Sequence, residues 1–187
     1  RPKLYDSLLE NGLLLEGRLK DHSIVESKFF DVLYHSCINP IHNLNLRNLK
    51  KIDSQLLFNW RNDSEVRKNS FNTELIPLES HEKWFNEKIS NINTKIYIFE
   101  TKHGHPVGQV RLDYINEKWL IDYSIDKFFR GLGLGKNILM QTINLFEGRT
   151  FVAKVIKHNY ASIKIFKDLT FKMESETENH KIFELIK

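Results

Sequence analysis

Residues 130–137 read Arg-Gly-Leu-Gly-Leu-Gly-Lys-Asn, three glycines alternating with leucines ahead of a lysine. An apolar run, Trp119 to Ile125, precedes them, and a helical pattern, Lys136 to Glu147, follows. A strand that turns through glycines into a helix makes an anion site. The first amides of the helix have no partner within it, and glycines let the backbone approach the ligand. Spacing then decides which anion is held. The dinucleotide fingerprint demands G-x-G-x-x-G, whereas Gly131, Gly133 and Gly135 are each two apart. The phosphate loop of nucleoside triphosphatases sets four residues between its glycines and then Lys-Ser/Thr. Here Gly131 and Gly135 enclose three, and Asn137 stands where the hydroxyl belongs. Spacing excludes both.

Such a loop needs a sheet and helices to hold it, and from Leu44 the chain supplies them in regular order. LNLRNL alternates like a strand, DSQLLFNWRND reads as a helix capped by Asp53 or Ser54, and SEVRKNSF as a second short helix. PLESHEKWFNEKIS opens on Pro77 and carries Leu78, Trp84, Phe85 and Ile89 as the apolar side of a third. Three strands follow, KIYIFET, PVGQVRLDYI and KWLIDYSI, separated by His103-Gly104 and Asn116-Glu117. Beyond the glycines come the helix KNILMQTINLFE, closed by Gly148, and the β-branched strand TFVAKVI. The helix NYASIKIFKDL has Asn159 at its start, and FKMESE and KIFELIK end the chain as strands. The order β-α-α-α-β-β-β-α-β-α-β-β predicts an α/β fold, a mixed central sheet with helices to cover both faces.

Residues 1–43 differ in character. Val25, Phe29, Val32 and Leu33 recur at helical spacing, and Asn11-Gly12 and Gly17 punctuate what precedes them. This segment reads as an N-terminal helical extension, either a hairpin of helices or the tail of a domain fused upstream. The change to the domain at 44–187 falls near INPIHN, Ile38 to Asn43. A homodimer is the other assembly left open. A chain of 187 residues, 41% hydrophobic and 28% charged, accommodates one domain with a real core. The net charge of +4 suits an anionic small ligand, but the 28 basic residues are spread among 24 acids and describe no nucleic-acid footprint. The single cysteine, Cys37, excludes an internal disulfide and a cysteine-built metal cluster and fits a reducing, cytoplasmic setting, so no metal is expected. No apolar run approaches the ~20 residues of a membrane span, so no membrane partner is expected either.

With the two commoner loops excluded, what fits is R-x-x-G-x-G, as Arg130, Gly133 and Gly135. Twenty-four residues after Gly135 comes NYASIKIFKDLTF, Asn159 to Phe171, of the form N-x-x-[SA]-I-x-[IL]-[YF]-x-x-L-x-F. The two stretches, one helix and one strand apart, resemble the paired signatures of the GNAT N-acetyltransferases over roughly Leu44 to Lys187. The resemblance implies the GNAT acyl-CoA N-acyltransferase fold with acetyl-CoA as cosubstrate. It places the pyrophosphate on the amides of Leu132, Gly133, Leu134, Gly135 and Lys136, with Arg130 and Gly131 also in the cofactor site. The pantetheine arm would lie between the strand before the loop and the strand after it, paired to the backbone of Tyr123, Ser124 and Ile125. One of those amides would polarise the thioester carbonyl. Asn159, Ser162 and Phe166 would complete the arm's site.

Acetyl transfer to an amine needs the amine neutral, the oxyanion stabilised and the leaving thiolate reprotonated. In the family a tyrosine of the second signature commonly gives that last proton. Here the position is Phe166, which has none to give, so Tyr123, Tyr160 or water must substitute, Tyr160 being the poorer for following a helix cap. The run from Phe58 to Phe85 resembles the acceptor region of sugar-nucleotide N-acetyltransferases of the pseudaminic acid pathway type. The matching elements are Trp60 to Asp63, Val66-Arg67, and Ser80-His81 with Trp84-Phe85. This resemblance implies a small-molecule acceptor, the 4-amino group of a UDP-linked deoxyamino sugar, in surface polysaccharide or nonulosonic acid biosynthesis. Arg61 and Arg67 would grip the diphosphate, and His81 would contact the substrate or take the proton. Gln109, Arg111 and Asp113 share one face of their strand, opposite Val110 and Leu112. Arg111 and Asp113 are therefore substrate-binding candidates, with Asp113 a proton relay and Asp122 its rival. The catalytic candidates are thus His81, Asp113 and Tyr123. Acetylation of a protein N-terminus or lysine, of the ribosomal-protein type, remains open, as does a silent acyl-CoA-binding module, which Phe166 keeps in play. The loop reading predicts that Gly135→Glu abolishes acetyl-CoA binding by setting bulk and charge against the pyrophosphate.

Overall fold

The computed structural model describes residues 14–26, 28–36 and 44–187, so Asn11-Gly12, Cys37 and the boundary at 38–43 lie outside the described residues. The chain divides into two compact units, Arg1–His42 and Asn43–Lys187. The first corrects the helical expectation. Its described residues form an antiparallel ribbon of β1 (Leu14–Val25) and β2 (Lys28–Ser36), pairing Val25 with Lys28 and Leu19 with Val32. The helical spacing of Val25, Phe29, Val32 and Leu33 coincides with a run dense in β-branched and aromatic residues, which favour a pleated surface. Glu26 at φ 47° reverses the chain, and Asp21 at φ 50° marks a bulge whose amide donates to Asp31 Oδ1 at 2.9 Å.

In the second unit the predicted order of elements is present throughout. β3 (Asn45–Asn48) leads to α1 (Ser54–Asn62), α2 (Ser64–Lys68) and α3 (Leu78–Ser90). β4 (Thr94–Glu100), β5 (Pro106–Ile115) and β6 (Lys118–Ile125) follow as a meander, and then α4 (Leu134–Ile143). β7 (Thr150–Ile156), α5 (Tyr160–Asp168), β8 (Lys172–Glu176) and β9 (His180–Ile186) complete it. The seven strands lie in the order β3-β4-β5-β6-β7-β9-β8, all antiparallel except the central pair β6 and β7. The fold is a mixed α/β sheet flanked by helices, as expected. No helix among the described residues is long and apolar enough to cross a membrane.

One face of the sheet is closed by α1 and α3, whose Leu57, Trp60 and Phe85 pack with Ile96 and Ile98 of β4. Alternation sends Gln109, Arg111 and Ser124 to this face and Val110 and Tyr123 to the other. There α4 brings Ile138, Leu139 and Ile143 down on β5 and β6. A stack of rings, Phe166 with Phe171 at 5.0 Å and Phe183 at 6.1 Å, seats α5.

The first helix is not capped as expected. Asp53 occupies the capping position without a side-chain cap bond and ends a 3-10 turn, Lys51–Asp53. Its carboxylate accepts from Arg47 Nη1 and Nη2 at 2.7 and 2.8 Å and from the Lys50 amide at 2.7 Å. Burial pulls this carboxyl upward, but Arg47 and the Lys50 amide outweigh it and hold it below the ordinary aspartate value. The pair therefore stabilises the fold above the unfolded aspartate range, and that contribution is lost as pH falls through the depressed folded value. Asp53→Asn should cost roughly 2 kcal/mol at neutral pH, and the difference from the parent should shrink as denaturation is repeated at pH near 3.

Candidate functional site

β6 and β7 pair only through Trp119–Phe151, Leu120–Val152 and Ile121–Ala153. Beyond Ile121, β6 stays on β5 as far as Gly108–Ile125, while β7 stays on β9 as far as Ile156–His180. The seam between them opens, and a cavity of about 540 Å³ occupies the opening. Tyr123, Ser124 and Ile125 line it from β6, Lys154 from β7, and Asn159 and Ser162 from the start of α5. Arg130 lines it as well.

At its edge the chain turns into α4. Gly131 (φ 78°) and Gly133 (φ 75°) adopt the left-handed conformation the turn requires, and Gly133 caps the helix. Gly131, Leu132, Gly133 and Lys136 are exposed while Leu134 and Gly135 are buried, and the first-turn amides of α4 have no partner within the helix, as an anion site needs. Gly135 differs in purpose. It is buried, and a Cβ there would lie 2.9 Å from Ile165 Cδ1 and 3.2 Å from Tyr123 Cε2. Gly135→Glu would therefore act by wedging α4 off β6 and α5, not by crowding a pyrophosphate, which corrects the mechanism expected from the motif. Gly135→Ala should already cost about 1 kcal/mol in thermal unfolding, because the Tyr123 ring, held by Ser162, has little room to move away.

Tyr123 hydroxyl and Ser162 Oγ are 2.8 Å apart. Burial pushes the phenol up to about 12, with the Ser162 bond opposing and nearby Asp122 adding. It is therefore a proton holder at any physiological pH. Asn159 Oδ1 accepts from the Ser162 amide at 3.1 Å, the expected cap. Phe166 is in no described cavity wall. Its ring is 2% exposed and packs edge-on against Tyr123 at 6.0 Å, a core position rather than a ligand contact.

A second cavity, about 410 Å³, adjoins the first on the α1 and α3 face. Arg61, Arg111 and Ser124 line both. Leu57, Trp60, Ile76 and Trp84 give it an apolar wall. His81 lines it too, but is 2% exposed and bonded through Nε2 to Ser54 O at 2.8 Å. Burial keeps the imidazole below its ordinary pKa, with the Ser54 carbonyl opposing. It is neutral at pH 7, and the nitrogen facing a carbonyl carries its one proton. His81 thus ties α3 to the start of α1 and offers the cavity no more than Nδ1.

The arginines separate. Arg67 lies in neither wall; its Nε donates to Asn62 O at 3.2 Å and its Nη1 to Thr73 O at 2.8 Å, pinning the segment after α2. Arg61 donates from Nη2 to Asn72 O at 2.8 Å, and its Nη1 is buried with no partner among the described residues. Burial lowers its pKa, which Asp122 opposes and Arg111 and Arg67 reinforce. Arg111 lies over Trp84 at 5.6 Å. Asp113 also lies outside both walls. Its Oδ1 accepts from Lys88 and Thr94 at 2.8 Å each, and its Oδ2 from Arg111 at 2.9 Å. Burial raises its carboxyl, but Lys88, Arg111 and Thr94 hold it low, so it is a fixed anion that orients Arg111. Asp122, the rival, lines the larger cavity, is half exposed, and meets Arg111 Nη2 only at 3.5 Å.

An opened parallel seam beside a left-handed glycine turn offers room for an extended acyl thioester arm, with a second cavity adjoining it. That arrangement suits an acyl-CoA-dependent transferase. The comparisons with known proteins agree, since residues 43–172 match the acetyltransferase (GNAT) domain. The chain belongs to that family and is an acetyl-CoA-dependent N-acetyltransferase. No curated protein matches it significantly by sequence. Among solved structures it is similar to spermidine N-acetyltransferase of Vibrio cholerae in complex with CoA and spermine, with a TM-score of 0.67 and 17% identity over 76% of this chain and 95% of that one. A domain from Methanocaldococcus jannaschii gives 0.67 and 23% over 78% and 99%, and an N-acetyltransferase from Staphylococcus aureus Mu50 gives 0.65 and 21% over 77% and 98%. At these identities the likeness establishes the fold.

Acetyl-CoA supplies an activated acyl group when bound. The residues present fit it: the β6 edge from Tyr123 to Ile125 offers backbone pairing, the glycine turn offers amides, and Asn159 and Ser162 close the far wall. With Phe166 in the core, Tyr123 and Ser162 are a bonded pair of hydroxyls in the cavity wall, and Tyr123 is the expected proton donor to be tested. Tyr123→Phe should lower kcat about tenfold or more while leaving the calorimetric affinity for CoA within threefold. An unchanged kcat would remove Tyr123 from the proton path.

Proposed function

We propose that the acceptor is the primary amine of a small molecule that also carries an anion, and that the 4-amino group of a UDP-linked deoxyamino sugar is its best-fitting form. The carrying observation is the placement of Arg61 and Arg111 in the wall shared by both cavities, with Arg61 Nη1 buried and unpartnered among the described residues. A buried donor left unpaired costs about 1–3 kcal/mol, and a phosphate oxygen satisfies it with charge assistance. Arg111 is pre-oriented by Asp113 and Trp84 yet only loosely held by Asp122, so it keeps donors for a ligand. The apolar wall of Trp60, Leu57 and Ile76 suits the deoxygenated side of such a sugar.

The amine itself falls to Asp122. It is the first residue of β6 beyond the last β6–β7 pair, and its carboxylate is less committed than that of Asp113. Held there, the acceptor's ammonium would lie beside the opened seam and pass its proton to Asp122 or a water relay. Two arginines at the same junction disfavour a polycation without an anionic group, so the spermine of the Vibrio cholerae structure is not the acceptor class proposed.

Thiol release from acetyl-CoA, measured with a UDP-linked 4-amino-deoxy sugar, with spermidine and with a peptide bearing a free N-terminus, tests this reading. We expect kcat/KM at least ~100-fold higher for the nucleotide sugar, a KM raised about tenfold by Arg61→Gln, and a kcat lowered about 100-fold by Asp122→Asn. Preference for spermidine or for the peptide would sink it.

A further inference from the structure

The β6–β7 ladder stops one step short of facing an acid with a base. Its register runs Leu120 to Val152 and Ile121 to Ala153, so the next step would set Asp122 against Lys154. That step is not made, because the seam opens there. Phe151, the partner of Trp119, packs on Phe146 just after α4, and alternation therefore turns Val152 and Lys154 to the opposite face of the sheet. Asp122 and Ser124 lie on that face beside Arg111 and Gln109. Lys154 and Asp122 thus flank the apex of the opening on one face, and both line the larger cavity.

Strands disfavour lysine mildly, and this one has no structural task. Lys68, Lys88, Lys118, Lys157 and Lys181 each reach a carboxylate. Lys154 is exposed and has neither a hydrogen bond nor an ion pair among the described residues. Among those residues it is also the one lysine in the wall of either cavity of the site. Chain direction sets where the acyl group would come. With the pyrophosphate at the glycine turn, which follows Ile125, an arm paired to β6 runs back along that strand, and its acyl end comes to Tyr123 and the apex. Neighbouring strands lie about 4.8 Å apart, a gap that the long stem of lysine spans. A primary amine of the chain therefore stands beside the acyl group that the enzyme transfers to amines.

We propose that Lys154 is a self-acetylation site: with acetyl-CoA bound and no acceptor present, its side-chain amine takes the acetyl group. The ammonium first gives a proton to Asp122 or to water. The freed lone pair on Nζ attacks the thioester carbonyl carbon, the C–S bond breaks, and CoA leaves as the thiolate. The second proton shed by the nitrogen goes to that thiolate, leaving N-acetyl-lysine and free thiol. Holding amine and thioester together replaces a bimolecular encounter with a unimolecular step, which sets Lys154 apart from lysines on the open surface. The product puts a neutral amide where a cation stood and obstructs the acyl cavity of the modified chain. The inference rests on the acetyltransferase activity and is independent of which small amine is the acceptor.

Peptide mass spectrometry over a time course, on the full chain with acetyl-CoA at concentrations that saturate it by calorimetry and with no amine added, tests this. Lys154 should gain the mass of one acetyl group at least about tenfold faster than the exposed Lys51, Lys83 and Lys167. Its rate per chain should be unchanged when the protein is diluted about tenfold, as a reaction within one chain requires. Thiol release in the same mixture should come to about one equivalent per chain and then fall away. Lys154→Arg, which keeps the charge, should remove both the label and that first equivalent of thiol. Labelling of Lys154 no faster than that of the surface lysines would overturn the proposal, as would a rate per chain that falls with dilution. A first equivalent of thiol that persists in Lys154→Arg would overturn it equally.

Discussion

The whole site depends on one break in hydrogen bonding. A central pair of parallel strands stays joined for three residue pairs and then parts, leaving the edge of β6 from Asp122 to Ile125 facing a cavity. Buried backbone groups without partners are costly, so an open seam in mid-sheet persists only if each half is secured from its outer side. Both halves are. β6 remains laddered to β5, and β7 to β9, each to its last residue. The opening is then held by what sits across it. Tyr123 of β6 bonds Ser162 of α5, and Gly135 lets α4 settle against both Tyr123 and Ile165. A ligand that pairs with the exposed edge completes a sheet that the chain leaves incomplete.

The polar face of the same strands is organised around fixed charges, not free ones. Asp113 is surrounded by Lys88, Thr94 and Arg111, and this closed set spends its electrostatic energy on holding the Arg111 guanidinium in place. Guanidinium groups serve here in three capacities, because five donors in a rigid fork suit carbonyl oxygens as well as phosphates. Arg67 staples a loop, Arg130 holds backbone, and Arg61 with Arg111 borders the two cavities. A site made this way is pre-formed, and little ordering is left for the substrate to supply.

These distinctions mark the limit of what the sequence discloses. Element order was legible throughout residues 44–187 because period-two and helical patterns there are separated by glycine and asparagine turns. It failed at Ile24–Ser36, where four apolar residues at helical spacing also lie in a β-branched, aromatic run that pairs across a turn at Glu26. Alternation correctly put Arg111 and Asp113 on one face of β5. It could not count the donors converging on Asp113, and that count separates a structural anion from the less committed Asp122. The glycines looked equivalent as letters. Two are demanded by left-handed turns, and Gly135 by the ring of Tyr123, a neighbour twelve residues back in the chain. Gly108 carried no signal at all, since only the close approach of its partner strand makes it necessary.

The absence of a tyrosine at position 166 then reads differently from how it reads in the motif. Phe166 is enclosed by Phe171, Phe183 and Tyr123, and a hydroxyl added to that ring would need a partner among side chains that are apolar or, for Tyr123, already engaged. The phenol in this chain stands instead on β6, the strand whose edge forms the opening. That strand is held in register by Gly108, whose missing Cβ admits Ser124 O, and by Arg130, which takes the Ile125 carbonyl. Moving the hydroxyl from the helix to the strand makes the site less dependent on how α5 is seated and more dependent on the register of β5 with β6. A silent binding module would have no need of that coupling. The Tyr123–Ser162 pair in the wall of the opened seam is therefore an argument for catalysis that Phe166 alone appeared to oppose.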